Sequence, residues 1–262
     1  MTNEESKSKG IQSIEVGVDI LKKIAEADKP LTITEIAILC DTSKSKLHRY
    51  LTSFIRTGIL EKSEDAKYTL GSELIMLGLR ASQKLNITDV VAPYLIELKD
   101  TLNETAALAI WGEGGPFFIS WEESNKPINI GIKVGSRVSV IQSASGRVFA
   151  TYLPNHLTAE QINRELNKCS ISVDQFQENL NTIREKEYSY VISNIIPGIS
   201  AIAAPIFDHS SQVIAVLTVV GLENSLDVSE NSEAVKLLKE KTTEISRLLG
   251  APIGTLQRKD LA

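Results

Sequence analysis

One short segment, residues 43–57, combines a helical period with an unbalanced charge. Its apolar residues recur at intervals of three and four, as on a helix with one buried face: Leu47, Tyr50, Leu51, Phe54 and Ile55. The outer face left by this spacing is basic and hydroxylic, and no Asp or Glu occurs between Thr42 and Gly58. The pattern therefore predicts a helix that packs on one side and presents positive charge on the other.

Two helices are predicted before this segment and a hairpin after it. Residues 14–25 carry one apolar stripe, and Thr32 followed by Glu35 has the spacing of a capping box. Ser43 or Thr42 is the expected N-cap of the basic helix. The runs "ILEK" and "KYTLG" then flank the polar tip "SEDA", as in a β-hairpin. Three helices followed by a hairpin predict a winged helix-turn-helix domain.

The basic helix is the second of the predicted helix-turn-helix pair, the one that enters the major groove in this architecture. A basic face can also be a solvated surface and nothing more, but the helix order favours DNA binding. Lysines and arginines neutralise phosphates, serines can donate hydrogen bonds, and Arg49 and His48 can reach base edges. Two lysines flank the wing. The predicted DNA-binding residues are Ser43, Lys44, Ser45, Lys46, His48, Arg49, Ser53, Arg56, Lys62 and Lys67.

Charge and length indicate a division of the chain. The 262 residues favour two domains. Residues 1–85 hold 13 Lys and Arg against 12 Asp and Glu, whereas residues 86–262 hold 15 against 21. Only the front part would approach a polyanion. Because a domain of nearly zero net charge binds DNA weakly at physiological salt, we expect at least a dimer, which doubles the contacts.

Several classes of protein are disfavoured. No stretch approaches the roughly 18 apolar residues of a membrane helix, and the polar residues 1–10 predict a disordered leader in a cytoplasmic protein. Cys40 and Cys169 are expected to be reduced, buried thiols. No histidine has metal-ligand spacing, and no nucleophile elbow, Walker A or dinucleotide fingerprint occurs. We therefore expect no catalytic residue, metal or cofactor.

The back part alternates amphipathic helices with β-rich runs. "TAALAIW" and "FFISW" flank the turn "GEGGP", and "INIGIKV", "YSYVISN", "GISAIAAPIFD" and "QVIAVLTVVG" are further predicted strands. Capping-box spacings occur at Thr158/Gln161 and Ser172/Gln175. Antiparallel hairpins among helices indicate an α+β sensor-like domain. The apolar residues 72–85 predict a helix, packed either within its own chain or on its twin in a dimer.

The junction "SASG", residues 143–146, is a candidate anion site. Small residues where a helix starts expose backbone N–H groups in a field of partial positive charge, and these can hold a carboxylate without a basic side chain. The alternative is that Ser145 merely caps the helix and Gly146 permits close packing.

Several stretches resemble the IclR family of bacterial transcription regulators. "LTITEIA", "SKSKLHRYL" and "YTLGSELIMLG" are similar to its N-terminal domain. "VGSRVSVIQSASGRVFATYLP" and "GISAIAAPIFDHSSQVIAVLTVVG" are similar to its effector domain. The resemblance spans about residues 11–250. It implies a winged helix-turn-helix domain (11–71), a linker helix (72–85), a GAF-like α+β effector domain (86–250) and a tail (251–262).

The resemblance also implies a function. The protein would bind operator DNA as a dimer or tetramer, and a small molecule, often a carboxylate, would change that binding; the family favours repression. The implied effector-binding residues, with the glycine of the junction added, are Ser143, Ala144, Ser145, Gly146, Val191, Ile199, Ala201, Thr218 and Val220.

Departures from the family pattern suggest the kind of ligand. Residues 139–141 are Ser-Val-Ile where the family commonly has Pro-Leu-His, and Arg147 replaces a usual lysine. Val191, Ala201 and Val220 are apolar where several members are polar or acidic. We therefore expect an organic acid with a substantial apolar part. Two alternatives stay open: a regulator without a ligand, or a back part that binds or converts a small molecule while DNA binding is nonspecific.

Overall fold

The computed structural model describes residues 10–27, 29–82, 86–127, 135–169 and 171–252. The chain divides into two compact units, residues 1–85 and 86–262. Residues 1–9 of the predicted leader, residues 253–262 of the predicted tail and the predicted strand "INIGIKV" lie outside the described residues.

The first unit combines helices with a small antiparallel sheet. Strands β1 and β2 both pair with β3. The elements are α1 (Gln12–Ala25), β1 (Leu31–Thr32), α2 (Ile33–Leu39), α3 (Lys44–Arg56), β2 (Leu60–Lys62), β3 (Lys67–Leu70) and α4 (Ser72–Ser82). The predicted winged helix-turn-helix is confirmed. Strand β1 was not predicted, because two residues are too few to show a period of two.

Local hydrogen bonds explain where α2 and α3 begin. The Glu35 carboxylate accepts the Thr32 N–H at 2.7 Å and the Glu35 N–H donates to Thr32 Oγ1 at 3.3 Å, so the predicted capping box is confirmed. Ser43, not Thr42, caps α3, and its Oγ accepts the Lys46 N–H at 3.4 Å.

The core of the first unit fixes the orientation of α3. Leu47 and Leu51 are fully buried against α1, α2 and the hairpin, and Tyr50 and Phe54 pack at the edge of this cluster. The prediction that Ile55 is buried was wrong, since 37% of it is exposed. It lies beside the buried line of side chains in the last turn of α3, so the packed stripe is narrower than the periodicity indicated.

The second unit is a five-stranded antiparallel sheet covered by helices, and the predicted α+β class is confirmed. The strand order is β5-β4-β8-β7-β6. Helices α5 and α9 pack on one face and α6 and α8 on the other. The elements are α5 (Ile87–Leu102), β4 (Thr105–Gly112), β5 (Gly115–Glu122), α6 (Ala144–Tyr152), α7 (Asn155–Leu166), α8 (Val173–Lys186), β6 (Ser189–Ile192), β7 (Ile199–Phe207), β8 (Val213–Leu222) and α9 (Glu233–Leu248).

One predicted helix start in this unit was wrong. Helix α7 begins at Asn155, directly after Pro154, so Thr158 lies inside its first turn and donates to the Asn155 carbonyl oxygen at 3.5 Å. The proline starts the helix without a side-chain cap. The capping box predicted for α8 is present between Ser172 and Gln175.

Neither cysteine takes part in a disulfide or a metal cluster among the described residues. Cys40 and Cys169 are free thiols, as predicted, but each is only half-buried. Across the described ranges no group of three His, Cys, Asp or Glu residues could hold a metal ion. Within those same ranges no helix has both the length and the apolar character needed to cross a membrane.

Candidate functional site

The outer face of α3 is exposed over its whole length. All ten residues predicted to meet DNA are exposed: Ser43, Lys44, Ser45, Lys46, His48, Arg49, Ser53, Arg56, Lys62 and Lys67. Among the ion pairs that the structure describes, none involves the four cations of α3. A helix face with cations that carry no internal counter-charge can meet phosphates without first breaking ion pairs.

Hydroxyl groups on α3 bond within the helix. Ser53 Oγ donates to the Arg49 carbonyl at 3.0 Å, and Thr52 Oγ1 donates to the His48 carbonyl at 2.8 Å. Ser43 Oγ is the helix cap and lies 3.2 Å from Ser45 Oγ. In this state the Ser53 hydroxyl donates within the helix, and the donor role predicted for it on DNA stays a prediction. Arg49 is the long exposed donor in the middle of the face.

The wing presents its two lysines on neighbouring strands. Lys62 ends β2 and Lys67 begins β3, and both are exposed. Lys62 Nζ lies 5.5 Å from the centre of the Tyr68 ring, a cation–π distance, and Tyr68 itself is buried in the core of the unit. The tyrosine thus connects the position of the wing cation to the packing of the domain.

A cavity of about 350 Å³ opens in the second unit between the start of α6 and strands β6, β7 and β8. The sheet register places Val191 opposite Ala201 and Ala201 opposite Val220, so these apolar side chains form one wall. Eight residues that the family resemblance implied line this one cavity, although they come from distant parts of the chain: Ser143, Ala144, Ser145, Val191, Ile199, Ala201, Thr218 and Val220.

Gly146, the ninth residue, does not line the cavity. Its N–H donates to Ser143 Oγ at 2.9 Å. A Cβ atom at this position would lie 2.2 Å from the Ser139 carbonyl oxygen, which is too close for any side chain. The glycine therefore permits close packing, which was the alternative considered for it.

The start of α6 is capped by Ser143 and not by Ser145. Ser143 Oγ accepts the Gly146 N–H and donates to the Ser139 carbonyl at 2.5 Å. Ser145 Oγ instead lies 2.8 Å from Thr218 Oγ1, and both residues are buried. The N–H groups of Ala144 and Ser145 have no acceptor among the described residues, as is usual in the first turn of a helix. They are two donors at the edge of an apolar cavity.

The backbone N–H groups just before α6 donate hydrogen bonds to a carboxylate of the protein itself. Glu165 of α7 accepts the N–H groups of Val140 at 3.0 Å and Ile141 at 3.1 Å, together with the Ser139 hydroxyl. This contact holds the segment that leads into α6. Sequence reasoning missed it, because a pairing across about 25 residues leaves no local pattern.

Other cavity residues were also missed. The loop between β6 and β7 contributes Ile195 and Ile196, which are 51% and 47% exposed; two isoleucines in a loop beside Pro197 and Gly198 were the available signal. Arg137 is the only titratable residue among the described ones that line the cavity. The remaining missed residues are Phe118, Ser136, Val138, Ser139, Gln142 and Ser200.

Comparison with known proteins gives the class. The model of the IclR helix-turn-helix domain matches residues 13–64, and the model of the bacterial transcriptional regulator IclR C-terminal domain matches residues 79–247. The second match alone covers more than half of the chain. The chain belongs to the IclR family of bacterial transcriptional regulators, and the family predicted from its sequence is confirmed.

Individual relatives agree with this class. The chain is 27% identical over 248 residues to the HTH-type transcriptional regulator XynR of Escherichia coli K12, covering 92% of this chain and 98% of that one. The crystal structure of Pseudomonas aeruginosa HmgR superposes with a TM-score of 0.86 and 33% identity, covering 92% and 99%. An IclR homologue from Microbacterium hydrocarbonoxydans complexed with 4-hydroxybenzoate has a TM-score of 0.54 and 22% identity, covering 90% and 98%, and shows the fold alone.

Proposed function

We propose that this transcription regulator binds operator DNA through α3 and that an organic acid in the cavity of the second unit changes that binding. The cavity itself supports ligand binding: it has apolar walls and two backbone N–H groups at the start of α6 that have no acceptor among the described residues. DNA binding is supported by the exposed cations of α3, which form no ion pair within the described ranges.

On DNA, the side chains of α3 would take different roles. Arg49, in the middle of the exposed face, is suited to a base edge, and arginine pairs best with guanine. Lys44, Lys46 and Arg56 would neutralise phosphates, and the wing lysines would meet the neighbouring backbone. A two-fold dimer would place two copies of α3 about one DNA turn apart. Dimer or tetramer assembly and a cytoplasmic location stay predictions.

For the ligand, the cavity favours an acid with an apolar body. Val191, Ala201 and Val220 would contact the body, while the N–H groups of Ala144 and Ser145 would hold the carboxylate in the field of the helix start. The complex of the Microbacterium homologue with 4-hydroxybenzoate supports an aromatic acid. Binding would bias the spacing of the two recognition helices, and the family resemblance favours repression as the basal state.

We also propose that the cavity does not catalyse a reaction. Among the described lining residues no His, Cys, Asp, Glu or Lys is available as a general base or nucleophile. Ser145 Oγ is hydrogen-bonded to a threonine hydroxyl, which does not activate it. This supports a binding role and disfavours the enzymatic alternative.

Fluorescence anisotropy tests the DNA part. The protein is titrated against the DNA upstream of its own gene and against a scrambled duplex of equal length, at two salt concentrations. We expect a preference that persists at the higher salt and changes when benzoate is added. Equal binding to both duplexes, lost at the higher salt, would contradict a specific operator there.

Calorimetry tests the ligand part. Benzoate and 4-hydroxybenzoate should bind more tightly than pyruvate or glyoxylate. Ile195→Ser, which removes an apolar cavity contact, should weaken benzoate binding, whereas Ile38→Ser, a matched exposed isoleucine of the first unit, should not. Tighter binding of the two small acids would contradict the apolar-body proposal.

A further inference from the structure

A second cavity, of about 270 Å³, lies between α6, α8 and the edge strand β6. Val191 borders both this cavity and the larger one, but the other residues of the two linings differ. Four of the residues that line this cavity are polar or basic and could bind an anion: Arg147, Asn179, Lys186 and Ser189. No Asp or Glu is among the described residues that line it.

Arg147 brings a partly buried cation to this cavity. Its Nε donates to the Ile141 carbonyl at 2.7 Å, which fixes the direction of the guanidinium. Its terminal nitrogens have no acceptor, and its side chain forms no ion pair, within the part of the chain that the structure describes. Burial lowers the pKa of this guanidinium. A half-buried arginine without a counter-charge is unfavourable unless an outside anion supplies one.

Ser189 is a second, independent unpartnered group. It is fully buried, and its Oγ makes no hydrogen bond to any residue that the structure describes. The register opposes it to Ala203, which places it on the same side of the sheet as Val191, the side covered by α6 and α8. A buried hydroxyl without a partner is unfavourable, so an acceptor brought into this cavity would satisfy it.

Lys186 adds positive charge at the same place. Its Nζ lies 3.2 Å from Glu230, which faces it from outside the cavity lining, and both side chains are partly exposed. An ammonium group has three donors, so this pair leaves others free. The local charge around the cavity therefore stays positive when Arg147, Lys186 and Glu230 are taken together.

We propose that this cavity is a second ligand site, which binds a small oxyanion, either a carboxylate or a phosphate group. The guanidinium fork of Arg147 matches two oxygens of such a group. Ser189 Oγ and the Asn179 amide supply further donors. This site is separate from the cavity proposed for the organic-acid effector, so it stands whether or not that effector binds.

Titration calorimetry with two probes tests the proposal and distinguishes a phosphate ligand from a carboxylate ligand. Sodium phosphate and sodium acetate are each titrated into the full chain at constant ionic strength set with sodium chloride. Binding of phosphate alone would assign a phosphate site, and binding of acetate alone or of both would assign a carboxylate or a general oxyanion site. Absence of binding by either probe would overturn the proposal.

Variants tie the binding to this cavity. Arg147→Gln should weaken anion binding at least tenfold, whereas Arg164→Gln, which removes an exposed arginine paired with Glu160 on α7, should leave it unchanged. Ser189→Ala should weaken anion binding about threefold without loss of folding, because Ser189 Oγ makes no hydrogen bond among the described residues. Equal affinities in wild type and Ser189→Ala, or an equal loss in the two arginine variants, would overturn the proposal even if Arg147→Gln proved unstable.

Discussion

Two helices of this protein start with the same motif and meet opposite surroundings. Ser43-Lys44-Ser45 opens α3, and Ser143-Ala144-Ser145 opens α6. In both, the first serine is the N-cap and accepts the N–H three residues on, from Lys46 at 3.4 Å and from Gly146 at 2.9 Å. Around α3 the motif is exposed, whereas around α6 it is buried.

The difference shows how one kind of helix start suits the two different anions that we propose as ligands. At α3 charged side chains surround the cap, so a large polyanion is met by long cations at the surface. At α6 small and mostly apolar residues surround the cap, so a ligand there would meet backbone N–H groups and, among the cations of the described lining, Arg137. The residues beside the serines, and not the cap, separate the two roles.

The largest effect is expected on DNA binding by α3. Arg49→Ala should lower specific operator affinity by about 1–3 kcal/mol, if Arg49 contacts a base. Lys236→Ala, which removes an exposed cation of α9, is the matched control and should change affinity little. Anisotropy on the operator and the scrambled duplex measures both. An equal loss on the two duplexes would make Arg49 a phosphate contact.

A comparable effect on stability is expected where Ser145 meets Thr218. Thr218→Val leaves the Ser145 hydroxyl buried without its partner and should destabilise the second unit by about 1–3 kcal/mol. The double variant with Ser145→Ala should recover part of this loss. Both tryptophans, Trp111 and Trp121, belong to the second unit, so their fluorescence follows its unfolding in urea. Additive effects would contradict a direct interaction.

The two caps themselves can be compared by the same substitution. Replacing a serine N-cap by alanine costs about 0.5–2 kcal/mol. Ser143→Ala should fall near the upper end, because it leaves the buried Gly146 N–H unpaired, and Ser43→Ala near the lower end, because water can replace its hydroxyl. Urea unfolding followed by circular dichroism for the first unit and by tryptophan fluorescence for the second measures the two. Equal losses would show that burial does not matter here.

The smallest effect concerns acid stability of the first unit. Hydrogen bonds from the Thr32 backbone and hydroxyl, helped by Lys29, lower the pKa of Glu35 to about 2. A lowered pKa stabilises the folded state above the ordinary carboxyl range, and this contribution is lost as pH falls towards about 2. Glu35→Gln can keep the capping box without a charge, so its unfolding midpoint should depend less on pH between about 4.5 and 2. Identical pH profiles for the two proteins would contradict this.

Much of the fold could be predicted from the sequence because it rests on short-range patterns. The stripe through Leu47 and Leu51 and the capping boxes at Thr32 and Ser172 involve residues at most a few positions apart. The same reasoning erred at Thr158, where a preceding proline had already started the helix. It also could not show β1, whose two residues take their conformation from pairing with β3.

By itself, then, the sequence determined the period of the longer helices and strands and the capping boxes of α2 and α8, since these depend on neighbours within one or two turns. Only the tertiary structure decided how the start of α6 is used. Ser145 bonds to Thr218, 73 residues away, and Glu165 takes the donors that precede the helix. The packing of α6 against α8 and β6 also determines the surroundings of Arg147. This half-buried side chain has no counter-charge among the described residues.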